Sequence, residues 1–138
     1  MKVLFVIPFL LISSGVFAQQ TTVMLVDIMR INREHKAEAT YYFENNWKLF
    51  RDEAIKWGVI TGYQFYETDD DGQLEFILIT EFKDEEQFGN VEANFEPILK
   101  QLRPNGPVML NDVKPAAFRE TISTKKATVV ARRSSLLR

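Results

Sequence analysis

Cysteine is absent from the 138 residues. Disulfide frameworks, thiolate metal sites, Cys-ligated clusters and thiol nucleophiles are therefore excluded. Histidine occurs once, as His35, so a multi-histidine metal centre cannot form within one chain, and neither a metal nor a cofactor is expected. With six glycines and five prolines, the chain is neither collagen-like nor low-complexity. It carries no phosphate-binding glycine loop, nucleophile elbow or Ser-His-Asp spacing. An excess of positive charge is lacking too. Residues 19–113 hold 18 acidic and 9 basic side chains, which makes nucleic acid an unexpected partner. Basic residues gather only at the end: residues 114–138 hold seven of them against a single acid, Glu120.

Long hydrophobic runs are missing except at the start. Residues 3–12 (VLFVIPFLLI) are all apolar, but as helix they span about 15 Å, short of the ~30 Å hydrocarbon core. Lys2 precedes the run. Ser13, Ser14 and Gly15 loosen the chain after it, and Val16-Phe17-Ala18 ends on a small residue before Gln19. This is the order of a secretory signal peptide cut after Ala18. It predicts export to the periplasm or the extracellular space, with no stable membrane span.

What remains is a 46% hydrophobic, 12% aromatic chain with eleven phenylalanines, enough for one core in one domain. Residues 22–31 (TVMLVDIMRI) read as a strand that is mostly apolar on both faces. Asn32 can cap the helix that follows. Phe43, Trp47, Phe50, Ala54 and Trp57 recur at helical spacing, and Gly58 stands at the expected C-terminal position. Residues 59–68 (VITGYQFYET) and 74–82 (LEFILITEF) form a hairpin across Asp69-Asp70-Asp71-Gly72-Gln73, read as a loop of about five residues. That acidic turn does not make a calcium loop, because the twelfth position from Asp69 is Thr80, inside a strand. Asp84 and Gln87 resemble a capping box. Phe88, Val91, Phe95, Ile98 and Leu102 then trace a second apolar stripe, which Pro97 should kink or split. Residues 116–124 (AAFRETIST) read as a last strand, and 125–138 as a basic tail without order of its own.

Strand, helix, strand, strand, helix, strand is the split βαβ order of a ferredoxin-like α+β domain over residues 19–124: an antiparallel sheet with both helices on one face. Its first and third strands are central. Here those are the two strands apolar on both sides, so Val26, Ile28, Ile77 and Ile79 would leave an apolar open face. Burying four to six such side chains from each of two copies is worth about 10 kcal/mol or more before the cost of association. A homodimer through that face is expected; the alternative is that the C-terminal tail folds back over the sheet.

On these residues the chain resembles the dimeric α/β-barrel superfamily, which includes NIPSNAP-like and antibiotic-biosynthesis-monooxygenase-like proteins. Ile28-Met29-Arg30-Ile31, Ala37 through Trp47, and Ala54-Ile55-Lys56-Trp57-Gly58-Val59-Ile60 are similar to the first strand, long helix and second strand of those domains. The resemblance covers residues 22–124 and implies a ligand cavity between helices and sheet. Some haem-degrading members place an iron-ligating histidine on the second helix; none stands in residues 84–102 here.

Candidate catalytic residues are Asp27, which interrupts an apolar strand, and His35, at the start of the first helix; either could act as general base. Candidate ligand-binding residues are Tyr41 and Trp47 on the first helix and Tyr63 and Tyr66 on the second strand, where aromatic rings could stack on a flat substrate. Each has a plainer role available: an ion pair for Asp27, exposure for His35, core packing for Trp47. Three functions follow. The first is an exported dimer binding a small apolar or aromatic molecule. The second is a cofactor-free monooxygenase-like enzyme, and the third an interaction module. Whether Asp27, His35 and a tyrosine converge on a cavity separates the first two.

Overall fold

The computed structural model describes residues 21–133; the expected signal peptide, residues 1–18, lies outside them. The first strand, β1 (Val23–Ile31), leads through a 3-10 turn (Arg33–His35) into α1 (Lys36–Tyr42), a π-helical segment (Phe43–Lys48) and α2 (Leu49–Lys56). The hairpin strands β2 (Gly62–Asp70) and β3 (Gln73–Phe82) follow, then α3 (Glu85–Gly89), α4 (Val91–Leu102), α5 (Pro115–Phe118) and β4 (Arg119–Thr128). The four strands form one antiparallel sheet in the order β2-β3-β1-β4. This α+β architecture, with β1 and β3 central, is compatible with a ferredoxin-like fold.

Side-chain alternation sorts the sheet into two faces. Val23, Met29 and Ile31 of β1 and Leu74, Phe76, Leu78 and Phe82 of β3 are buried beneath the helices. They form two packed groups, one around Phe43 and Phe118 and one around Phe50, Ala54 and Ile98. On the opposite face Ile28 pairs with Ile77 and Val26 with Ile79, all four half-buried. At one end of that face Glu81 is buried. It accepts from Gln64 Nε2 at 2.7 Å and from Arg132 Nη2 at 2.8 Å, so the Arg132 side chain after β4 reaches β3.

Several local features differ from the sequence expectation. The hairpin turn is tighter than five residues: β2 and β3 are separated only by Asp71 and Gly72, both with positive φ (47° and 76°). Asp-Gly in this conformation matches the right-handed twist of the strands it joins. Pro97 lies within an unbroken α4, and the helical stripe is interrupted earlier, at Asn90. The last strand starts at Arg119, not residue 116, because Pro115 opens a helical turn that drives Phe118 into the core. It then runs past Thr124 to Thr128. Trp57, expected on the buried stripe, is 45% exposed. The helix ends at Lys56 and Gly58 turns the chain away at φ 69°.

Candidate functional site

A cavity of about 710 Å³ opens between the long first helical stretch and α4, not between helices and sheet as expected: Arg119, at the start of β4, is the one strand residue among the described residues that line it. Its apolar wall is Tyr42, Trp47, Phe50, Phe95, Leu99 and Leu102; Pro104, Gly106 and Pro107 form the rim, and Arg119 enters from the start of β4. Among the described residues the wall holds four cations, Arg51, Lys100, Arg103 and Arg119, and neither a carboxylate nor a histidine.

The first helix forms its side of the cavity through an irregularity. Asn45 and Asn46 donate from their side-chain amides to the carbonyls of Tyr41 and Tyr42, each at 2.9 Å, competing with the ordinary backbone ladder. The Asn45 carbonyl accepts from Arg103. The turn widens to π geometry over Phe43–Lys48, an arrangement that recurs at functional sites. Asn46 also holds the rim: its Nδ2 donates to the Val108 carbonyl at 2.7 Å, and its Oδ1 accepts from Val108 N and Arg103 Nε, both at 2.9 Å.

Arg51 lies deepest. Its guanidinium carbon is 4.7 Å from the Trp47 ring centroid, 5.0 Å from Phe50 and 5.2 Å from Phe95. Its Nε donates to Thr80 Oγ1 at 3.2 Å. Removal from water lowers its pKa to about 10, against the opposing pull of the Asp27 charge; it remains a cation at neutral pH. Arg119 stacks 5.0 Å from the Tyr42 ring.

Of the residues singled out in the sequence, Trp47 lines the cavity. Tyr63 stands behind it, ring centroids 5.4 Å apart and edge-on, with its hydroxyl donating to Asp52 Oδ1 at 2.6 Å. Desolvation raises the Tyr63 pKa and the bond to Asp52 raises it further. Burial alone would raise the Asp52 carboxyl, but the Tyr63 and Lys48 bonds outweigh it and hold the group below its usual value. Tyr66 is on the open face, its hydroxyl on Gln64 Oε1 at 2.7 Å. Tyr41 is half-buried and not part of the cavity wall. Asp27 is on the helix side of the sheet, accepting from Thr124 Oγ1 at 2.6 Å. His35 lies 3.7 Å from Glu38 at the helix start. Neither Asp27 nor His35 lines the cavity, and the structure does not gather these six residues around one point.

Arg51, Asn46, Arg103 and Arg119 were not singled out from the sequence. For Arg51 a signal existed: it falls four residues after Trp47 and three before Ala54, on the apolar stripe itself, where a charge is out of place. Among the described residues no three His, Cys, Asp or Glu side chains gather as a metal-binding set, and no helix is long and apolar enough to cross a membrane. No protein-family model matches the chain, and no curated protein matches it.

Proposed function

We propose that this chain is a small exported protein of the dimeric α/β-barrel type, NIPSNAP-like or antibiotic-biosynthesis-monooxygenase-like, that binds a small apolar or aromatic molecule in the cavity between its helices. The carrying observation is the cavity wall: aromatic and aliphatic side chains around a space of about 710 Å³, within the range of small-molecule sites. Binding without chemistry is favoured over a monooxygenase-like reaction because no carboxylate or histidine among the described residues borders the space, and a general base must reach the proton it takes. The dimer is supported by the Val26–Ile79 and Ile28–Ile77 rows on the open face, and export by the charged, apolar and small-residue order of residues 1–18.

Nile red, a neutral apolar dye, tests the cavity. It should bind one per chain with a blue-shifted emission. Leu99→Trp, which fills the space from a residue 47% exposed on its wall, should abolish the signal without changing the circular dichroism, whereas Tyr66→Phe on the open face should keep it. Absence of binding, or binding indifferent to Leu99→Trp, contradicts the reading.

A further inference from the structure

The inference concerns the class of molecule the cavity takes, and so rests on the cavity being a ligand site. Arg51 is fixed on three sides. Trp47, Phe50 and Phe95 lie around its guanidinium at 4.7, 5.0 and 5.2 Å, and its Nε is committed to Thr80. Among the described residues its Nη1 and Nη2 donate to no protein acceptor and it joins no ion pair, while no buried side-chain nitrogen or oxygen is left without a partner. The two terminal nitrogens therefore open onto accessible space, and Arg51 lines the cavity.

A cation drawn partly out of water, with the Asp27 charge acting on it but no ion pair formed, is costly, and an arriving anion recovers part of that cost. The edge left open, two parallel N–H groups, is the fork that matches a carboxylate. The rest of the wall agrees in sign. Arg119 adds positive potential, whereas Lys100 is paired with Glu96 at 2.6 Å; among the described residues no acidic side chain lines the cavity. Arg103 contributes charge, but its nitrogens are spent on Asn46 and on the carbonyls of Asn45 and Leu102, which makes it part of the frame. We infer that the cavity takes an amphipathic carboxylate, its apolar body lying against Phe50, Phe95 and Leu99 and its carboxylate seated on the Arg51 fork.

Titration calorimetry with 2-naphthoate and 2-naphthamide, alike in shape and different in charge, tests this on the purified protein. The acid should bind about tenfold tighter than the amide at neutral pH and low salt, the scale of one charge-assisted bidentate contact. In Arg51→Gln the acid and the amide should bind with equal affinity. Arg51→Lys keeps the charge, loses the fork, and should forfeit part of the preference, which provides the test if Arg51→Gln does not fold. Equal binding of acid and amide overturns the inference, as does a preference that survives undiminished in Arg51→Gln or Arg51→Lys. If both compounds bind equally and Nile red still binds, the cavity is a ligand site without charge preference. If none of the three binds, both readings fall.

Discussion

Asn46 accepts from Arg103 Nε at 2.9 Å across the gap between the first helix and the end of α4. The same side chain holds the rim at Val108 through both its amide nitrogen and its oxygen. One asparagine, presented by a π-helical turn, thus sets the distance between the two walls of the cavity. Asn46→Ala should cost about 1–3 kcal/mol, the scale for hydrogen bonds lost with partners left behind. Faster amide exchange at Val108, together with a lower melting temperature, is the measurement; unchanged exchange there would remove Asn46 from this role.

The open face predicts a dimer that a single charge should break. Ile28 pairs with Ile77 at the centre of that face, and a lysine at either position would place an ammonium group within an apolar contact. Sedimentation should find the wild type as a dimer and Ile28→Lys or Ile77→Lys as monomers or aggregates. Two intact dimers would refute the contact.

Acid should reveal the Tyr63–Asp52 bond. Asp52 titrates below its ordinary value of 3.8 in the folded chain. Its stabilising effect is therefore complete above 3.8 and is lost as pH falls through the lower folded value. Tyr63→Phe removes the hydroxyl donor, for a loss of roughly 1 kcal/mol at neutral pH because the carboxylate is partly solvated. The gap in melting temperature between wild type and variant should narrow as pH drops below 3.8; a gap independent of pH would separate the bond from the titration.

The Asp71-Gly72 turn should tolerate a side chain in space but not in backbone conformation. A Cβ on Gly72 would meet nothing within 4 Å, yet φ is 76°, where an L-residue is strained by about 1–2 kcal/mol. Gly72→Ala should lower the urea midpoint accordingly, and Gly72→Asn should lower it less, since asparagine enters that region more readily.

Much of the fold was legible in the residues. The apolar stripe from Phe43 to Ala54, the Asn32 and Asp84 caps and the left-handed Gly58 are local features, and local sequence specifies them: Glu34 N donates to Asn32 Oδ1 at 3.1 Å and Gln87 N to Asp84 Oδ1 at 2.8 Å. The cap at α3 differs in one detail: Gln87 Oε1 accepts from Lys83 N at 2.9 Å, one residue before the position a capping box uses. Reading Ala116 and Phe118 as strand failed because their turn is set by Pro115 together with a distant partner, Asn32, whose backbone N donates to the Phe118 carbonyl at 2.9 Å.

By itself the sequence determined the alternation of strands and helices, the helix boundaries at Asn32 and Gly58, and the pairing of two strands apolar on both faces. Hydrophobic period and capping chemistry act within a few residues of each other. Only the tertiary structure decided where the cavity lies and that Arg51, Arg103 and Arg119 share it. A cavity is the space that packed elements fail to fill, so it depends on how far apart the helices stand. That separation is set by contacts such as Asn46 with Arg103, between residues remote in the chain.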